Sequence, residues 1–155
     1  MPKINIMVDK LENSQLCYFL LRNIGRQYAA NNHDADYIIT YNVLNSLIMK
    51  PACSIMSMAE IYGQEGTTIA TDTNLALKLI NIPGPFLKII YLWDLDWLRS
   101  QNKNWEAFAA IYRNPSLKII CRSESHAKLL QNTFNVNAIG VVENFNLQQI
   151  YKLCY

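Results

Sequence analysis

Residues 88–97, KIIYLWDLDW, and residues 117–126, LKIICRSESH, decide the fold of this chain. Each stretch begins with an apolar run of strand length and ends in a group of polar and charged residues. A segment of helical character follows each of them, and the second leads to a third apolar run, residues 138–142, which ends in Glu143 and Asn144. Strands that alternate with helices predict βαβ units and therefore a parallel sheet. Because ligands bind at the carboxyl ends of such strands, the polar groups predict where a site lies.

The rest of the chain continues this alternation. Further strands are predicted at residues 4–8, 36–41, 52–58 and 67–70, and helices at residues 14–31, 43–49, 74–81, 127–134 and 147–154. The predicted helix N-caps are short polar side chains, namely Ser14, Asp72 or Thr73, Ser123 or Ser125, and Asn144 or Asn146. The predicted fold class is α/β: an open, mostly parallel sheet with helices on both faces, formed by residues 1–155 as a single domain.

Composition indicates a globular chain and leaves its partners open. The 155 residues suffice to bury a core without covalent staples, and 51% of them are hydrophobic while 17% are charged. A formal charge of +2 neither implies nor excludes a nucleic-acid partner, because a local patch can hide within a balanced total. No apolar run approaches the ~18 residues of a membrane span, and no apolar signal segment follows Met1. We therefore expect a cytoplasmic protein without a membrane span.

The cysteines and the absent motifs limit the chemistry. The four cysteines include no CxxC pair, so we expect buried free thiols in a reducing compartment. The chain contains no GxGxxG, no GxxxxGK[ST], no GxSxG and no HExxH sequence. We therefore expect neither a metal site nor a tightly bound cofactor, and any phosphate would be held by helix N-termini or side chains.

Three carboxylates are the candidate catalytic groups. Asp94 and Asp96 lie two residues apart at the end of a predicted strand, which places them on one face. Such a pair could bind a cation, hold a sugar hydroxyl or act as a general base, whereas the alternative is a helix cap and a solvated side chain. Asp9 ends the first strand and is either a base or a loop cap. Trp93 and Trp97 flank the pair and suit a sugar face, unless they simply fill the core.

A second group of candidate binding residues follows the strand at residues 117–121. The free N–H groups of a helix capped by Ser123 would attract an anion such as phosphate, and Arg122 would add a forked contact. Glu124 and His126 belong to the same candidate site because they lie in the first turn of this helix. The alternative is an ordinary cap with a surface arginine and a surface or half-buried histidine.

The third group comprises Glu143 and Asn144, which follow the last strand. Their side chains are candidates for hydrogen bonds to a polar ligand. The alternative is a turn that only leads into the final helix. Because all these strands are predicted to run in one direction, Asp9, Asp94, Arg122 and Glu143 should meet along a single rim.

Residues 117–145 resemble the last two units of the N-terminal half of glycosyltransferases of the two-Rossmann-domain (GT-B) type. In those enzymes a strand ends in a serine-led helix and a final strand ends in an asparagine-containing turn, positions that Ser123 and Asn144 match. Residues 88–108 are similar to the corresponding segment of phage DNA glucosyltransferases. The resemblance implies a Rossmann-like fold, an acceptor (a sugar or a nucleic acid) bound to this half, and a nucleotide-sugar donor held by a second half.

This chain departs from that family at two points. Residues 9–13 replace the glycine-rich loop after the first strand, and the sequence stops where the second half would begin. We therefore expect a glycosyltransferase-like half domain that needs a second subunit, or a homo-oligomer, for the donor site. The alternatives are a non-catalytic binding or assembly module with a contact patch at Tyr151, Cys154 and Tyr155, or a small nucleotide-binding or flavodoxin-like regulator.

Overall fold

All strands in the described part of the chain pair in parallel within one open sheet. The computed structural model describes residues 1–31, 33–83, 87–101 and 104–155. Within these residues seven strands lie in the order β3-β2-β1-β4-β5-β6-β7. The strands are β1 (Lys3–Leu11), β2 (Asp36–Leu44), β3 (Ser54–Ser57), β4 (Thr67–Ala70), β5 (Leu87–Leu92), β6 (Leu117–Cys121) and β7 (Gly140–Val141). The predicted α/β class, with a Rossmann-like parallel sheet, is confirmed.

Helices cover both faces of this sheet. They are α1 (Gln15–Ala29), α2 (Thr73–Asn81), α3 (Asp96–Arg99), α4 (Trp105–Tyr112), α5 (Glu124–Phe134) and α6 (Leu147–Cys154), with 3-10 turns at Met58–Gly63 and Glu143–Phe145. The buried residues of α1 and α6 pack on one face, and those of α2 to α5 pack on the other. The predicted cap Ser14 is confirmed, and the three pairs of alternatives are resolved in favour of Asp72, Ser123 and Asn146. A backbone N–H group donates to each of these four side chains.

The central strand β1 buries apolar side chains on both of its faces because helices lie above and below it. Ile4, Ile6 and Val8 face α1, while Met7 faces α2, and all four are at most 1% exposed. Each such side chain contributes roughly 1.5–3 kcal/mol when it is fully buried. The run from Ile4 to Val8, in which Asn5 is polar and is buried as well, is therefore typical of a strand that is covered on both faces.

Two predicted boundaries in the first half of the chain are wrong. The structure extends β1 to Leu11 and β2 to Leu44, because Lys10 and Leu11 pair with Val43 and Leu44 beyond the expected strand ends. The helix predicted at residues 43–49 is therefore absent. Its first residues are strand, and the segment from Asn45 to Cys53 is irregular. The extended pair of strands forms an arm at the carboxyl edge of the sheet.

The cysteines are confirmed as free thiols. Cys17 and Cys121 are buried, and Cys53 and Cys154 are half-buried. Burial raises the pKa of the Cys53 and Cys154 thiols to about 11 and that of Cys121 to about 12. These three thiols stay protonated near neutral pH, so the structure gives them a packing role rather than a nucleophilic one.

The strand order creates a switch point between β1 and β4. From β1 the chain proceeds outwards to β2 and β3, and from β4 it proceeds in the opposite direction to β7. The connections therefore diverge on opposite sides of the β1–β4 pair, which opens a crevice beyond the carboxyl ends of these two strands. The sequence predicted the carboxyl edge as the site but not which two strands would flank the crevice.

Gly66 gives the first prediction, because a side chain at this position would meet backbone. Its φ is +93°, and an added Cβ would collide with the carbonyl group of Lys3. We expect Gly66→Ala to lower the free energy of unfolding by at least about 2 kcal/mol, since the positive φ alone costs roughly 1–2 kcal/mol. Urea unfolding followed by circular dichroism measures this difference.

Gly63→Ala is the matched control. An added Cβ at Gly63 has no atom within 4 Å, so this variant should unfold within about 0.5 kcal/mol of the parent. Equal losses in the two variants would contradict a specific constraint at Gly66.

Candidate functional site

A cleft of about 490 Å³ lies at the switch point. It is formed by the end of β1, the start of α1 and the segments that follow β4 and β5. We call it the switch-point cleft, and its polar and aromatic walls include Asp9, Lys10, Glu12, Thr71, Asp72, Trp93, Asp94, Asp96 and Arg99. Three predicted catalytic carboxylates and one predicted binding tryptophan thus line one cavity.

Asp9 is an exposed carboxylate on the arm formed by β1 and β2. It lies within β1 rather than at its end, because the strand continues to Leu11. Asn42 of β2 donates a hydrogen bond from Nδ2 to Asp9 Oδ1 at 2.8 Å. Among the residues that the structure describes, no hydrogen bond reaches Asp9 Oδ2. One oxygen is therefore positioned by the protein while the other is available to a ligand.

Asp94 and Asp96 reach the cleft by different routes. β5 ends at Leu92, so Asp94 lies in a bend and Asp96 begins α3, and the two-residue spacing of a strand does not apply. The argument that put them on one strand face was therefore wrong, although both line the cleft. Asp94 Oδ2 forms an ion pair with Arg99 at 3.0 Å. Because the Arg99 side chain is 73% exposed, this pair contributes little to stability.

Asp96 positions helix α2. Its Oδ2 accepts hydrogen bonds from the backbone N–H of Thr73 at 2.8 Å and from Thr73 Oγ1 at 2.7 Å. The same Thr73 hydroxyl lies 2.8 Å from the Tyr112 hydroxyl, in the buried layer beneath the helix. These bonds tie α3 to the first turn of α2. The contacts of Asp96 are thus those of a structural group that also borders the cavity.

Asp72 is a residue of the cleft that the sequence analysis treated only as a helix cap. Its Oδ1 accepts the Leu75 backbone N–H at 2.8 Å. Burial raises the pKa of the Asp72 carboxyl, and the negative charges of Asp96 and Asp9 raise it further, against the lowering effect of the bond from Leu75. The missed signal was the position of Asp72 directly after β4. That position indicates a residue of the cleft only once β4 is known to lie beside β1.

Trp93 and Arg122 form a stacked pair beside the cleft. The Arg122 guanidinium carbon lies 3.8 Å from the centre of the Trp93 ring, a cation–π contact. Trp93 also packs against Phe19 of α1 and is mostly buried, with one part of its ring bordering the cavity. Arg122 therefore stacks on an aromatic ring at the carboxyl edge, where the sequence analysis expected it to contact an anion.

Trp97 lies in the core, contrary to its prediction as a binding residue. It is 1% exposed and packs edge-on against Tyr112 and Phe134, with ring centres 5.4 and 5.1 Å apart. α3 turns the chain after Asp94, so the tryptophan four residues after Trp93 points to the face covered by α4 and α5. A side chain so enclosed has no surface to offer a ligand.

A second cavity of about 490 Å³ lies further along the same edge. We call it the β7 cleft, and its lining residues are Asn23, Glu124, Val141, Glu143, Asn144, Asn146 and Gln149. Three predicted binding residues, Glu124, Glu143 and Asn144, meet here. The two cavities share no lining residue, so the expected single rim is divided into two clefts.

Ser123 and His126 take no part in lining either cleft. Ser123 Oγ accepts the backbone N–H of His126 at 3.2 Å and so caps α5. His126 is half-buried in the first turn of that helix. The hydroxyl of Ser123 is therefore used by its own helix, as the capping alternative required.

A constrained turn forms one wall of the β7 cleft. Asn144 and Phe145 both adopt left-handed backbone conformations, with φ of 49° and 56°. The buried Tyr91 hydroxyl donates to the carbonyl of Val142 and accepts the N–H of Phe145, and burial raises its pKa to about 12. Asn23 Nδ2 donates to the carbonyls of Asn144 at 2.7 Å and Phe145 at 2.9 Å. Two distant elements thus hold the turn in place.

Carboxylates dominate this edge of the sheet. Five of them line the switch-point cleft and two line the β7 cleft, which makes seven of the twelve in the chain. In the described ranges, no cluster of three or more His, Cys, Asp or Glu side chains has the arrangement of a metal site. Across the same ranges, no helix has the length and apolar character to span a membrane.

No protein-family model, no curated protein and no solved structure matches this chain. The functional argument therefore stands on the two clefts and their chemistry.

Asp72→Asn gives a prediction on pH dependence. The folded-state pKa is raised above the ordinary value near 3.9, so ionised Asp72 lowers stability above its folded-state pKa and has no such effect below about pH 4. Asparagine caps a helix as well as aspartate does and carries no charge. We expect Asp72→Asn to unfold at higher urea than the parent at pH 7, and this advantage to vanish near pH 4.

Asp72→Ala is the control that separates the cap from the charge. It should be less stable than Asp72→Asn by about 1 kcal/mol at both pH values, because it lacks the oxygen that accepts the Leu75 N–H. An Asn variant that is less stable than the parent at pH 7 would contradict an unfavourable buried charge.

Tyr91→Phe tests the constrained turn. Removing the hydroxyl leaves the Val142 carbonyl and the Phe145 N–H without their partner in a buried position. We expect the free energy of unfolding to fall by about 1–3 kcal/mol in urea titrations. Tyr62→Phe is the matched control because Tyr62 is 70% exposed, and it should leave stability unchanged. A loss of the same size in both variants would contradict the role of the Tyr91 bonds.

Proposed function

We propose that this chain is a glycosyltransferase-like half domain that binds a hydroxyl-bearing acceptor in the switch-point cleft. In this proposal a second subunit holds the nucleotide-sugar donor. The observation that carries it is the pair of carboxylates Asp9, within β1, and Asp72, two residues after the neighbouring strand β4, which line one cleft together with Trp93.

The carboxylates supply the base that such a transfer needs. A hydroxyl becomes a stronger nucleophile when a carboxylate accepts its proton as the oxygen attacks the anomeric carbon of the donor sugar. The bond from that carbon to the donor phosphate breaks, and the phosphate leaves with the electron pair. A carboxyl with a raised pKa accepts a proton more readily, which favours Asp72 as the base, and Asp9 lines the same cleft as the second candidate.

The surrounding residues would position the acceptor. Trp93 gives the cleft an aromatic edge that would contact the C–H groups of a sugar, and the stacked Arg122 guanidinium helps to fix the position of its ring. Asp96 fixes α2, which carries Asp72 at its N-cap, and so positions the base rather than reacting itself.

The net negative charge of the switch-point cleft favours an uncharged acceptor. It also favours a donor that is bound by the partner subunit. Asp9, Glu12, Asp72, Asp94 and Asp96 face two cations there, Lys10 and Arg99, and Arg99 is paired with Asp94. This excess of negative charge would repel the diphosphate of a nucleotide-sugar and the backbone of a nucleic acid. A sugar hydroxyl is therefore the acceptor that fits best, and the donor requires cationic groups from a partner.

The test measures acceptor binding and transfer separately. Neutral methyl glycosides titrated into the ¹⁵N-labelled chain should shift the indole N–H signal of Trp93 and the amide signals of Asp9 and Asp72. With a nucleotide-sugar and a candidate partner subunit, Asp9→Asn and Asp72→Asn should retain glycoside binding and lose transfer by about 10²-fold or more. The Glu65→Gln variant, an equal change of charge at an exposed site before β4, should transfer normally.

Two outcomes would contradict the proposal. One is full transfer by a variant in which both Asp9 and Asp72 are replaced. The other is the absence of any glycoside-induced shift in the cleft. Robust transfer by the chain alone would contradict only the need for a partner.

A specific observation supports a second candidate function, a non-catalytic assembly module. Val43 and Leu44 on the arm are about half exposed, and Ile48 in the segment that follows is 91% exposed. Exposed apolar side chains concentrated in one segment of the chain support a contact surface there. The predicted terminal patch is weaker, because the Tyr155 hydroxyl accepts a hydrogen bond from Thr67 Oγ1 at 3.0 Å and its ring packs against Tyr151.

Light scattering separates the two functions. A stable oligomer that dissociates in an Ile48→Lys variant and shows no shift with glycosides would favour the assembly module. A monomer that binds glycosides would favour the half domain.

A further inference from the structure

Another cavity adjoins the switch-point cleft. It has a volume of about 400 Å³, and three residues of the switch-point cleft, Asp72, Asp96 and Arg99, line it as well. Asn74 of α2 and Phe108 of α4 line this cavity but not the switch-point cleft. We call it the α4 cavity. Because the two cavities meet at three common residues, they are parts of one groove.

Each part of this groove is bordered by an aromatic residue. Trp93 borders the switch-point cleft, and Phe108 borders the α4 cavity. Phe108 is half-buried, and its ring stacks on that of Tyr112 with ring centres 6.3 Å apart, so the core fixes its position. Polar groups lie between the two aromatic residues. A sugar chain has the same character, because each unit offers C–H groups to an aromatic side chain and hydroxyls to polar ones.

The polar residues of the α4 cavity leave room for a ligand. Asn74 is exposed in the first turn of α2, and among the described residues its side-chain amide forms no hydrogen bond. An amide both donates and accepts, so it can bind neighbouring hydroxyls of a sugar. Asp96 is held by its two bonds from Thr73, which fixes the common wall. The exposed ion pair of Arg99 with Asp94 contributes little, so a ligand can displace Arg99 at low cost.

We propose that the acceptor is a neutral oligosaccharide, with adjacent sugar units in the switch-point cleft and the α4 cavity. This inference rests on the proposed function, because it extends the same acceptor site. One unit contacts Trp93 and presents its hydroxyl to Asp72, and the next contacts Phe108 and forms hydrogen bonds with Asn74. The two volumes, about 490 and 400 Å³, each lie within the roughly 300–1,000 Å³ of small-ligand sites.

The test compares one sugar unit with two. Methyl glucoside, methyl maltoside and methyl cellobioside are titrated into the ¹⁵N-labelled chain, with phenyl glucoside as a probe that has an apolar group in place of the second sugar. All should shift the indole N–H signal of Trp93, whereas only a disaccharide should shift the amide signals of Asn74 and Phe108. The better disaccharide should have a dissociation constant about tenfold below that of methyl glucoside, since the second unit adds an aromatic contact and hydrogen bonds.

Variants in the α4 cavity separate the second unit from the first. Phe108→Leu keeps an apolar side chain against Tyr112, and Asn74→Ala changes an exposed residue, so both should fold, which the dispersion of the amide spectrum verifies. Each should weaken disaccharide binding by about fivefold and leave methyl glucoside binding unchanged. Asn81→Ala is the matched control, because Asn81 is exposed at the opposite end of α2, and it should change neither affinity.

The outcomes distinguish this inference from the proposed function. Equal affinity for one and two sugar units, or disaccharide binding that is unchanged in both Phe108→Leu and Asn74→Ala, would overturn the oligosaccharide and leave the acceptor site in the switch-point cleft intact. A gain from phenyl glucoside as large as that from a disaccharide would also overturn it, because the α4 cavity would then receive an apolar group. The absence of any shift at Trp93 would contradict the proposed function and this inference with it.

Discussion

The pairing of β1 with β4 is the constraint on which the rest of the structure depends. Four consecutive residues of β1, from Ile4 to Met7, lie opposite Thr67 to Ala70 in parallel register. This register ends both strands at the same edge and so brings Asp9 next to the segment that contains Asp72. A shift by one residue would also turn the apolar face of β1 towards the wrong helices. Core packing and cleft geometry are thus set by one strand pair.

At the N-terminus of α2, the negative charge that lines the cleft opposes the stability of the fold. Asp72 and Asp96 both accept N–H groups of its first turn, so the helix has two carboxylates at one end. A single uncharged cap would satisfy the same N–H groups. The second carboxylate adds repulsion, which contributes to the raised pKa of Asp72. Perturbed acids of this kind are concentrated at functional sites, because the task of the site and not the fold requires them.

The fold class could be predicted from the sequence because the spacing of apolar residues and the helix caps are local signals. β4 and β6 have the predicted bounds, and Asp9, Trp93, Asp94 and Asp96 were placed at the edge where they lie. The helix predicted at residues 43–49 is absent because strand pairing with β1 overrode the local helix preference of this segment. The prediction of Trp97 as a binding residue is wrong because a turn of α3 directs its side chain into the core. Asp72 was missed because strand order is a long-range property that no window of sequence contains.

The helix N-termini explain why this edge differs from a phosphate site. In a parallel α/β fold the helices begin at the carboxyl edge, and their first N–H groups attract negative charge. Here the protein supplies that charge itself: Asp72 and Asp96 at α2, and Glu124 in the first turn of α5. A phosphate at α2 would have to compete with Asp72 and Asp96 for the same N–H groups, and at either helix it would be repelled by the carboxylates. The ligands that gain most at such an edge are those that donate hydrogen bonds, as the hydroxyl of the proposed acceptor does.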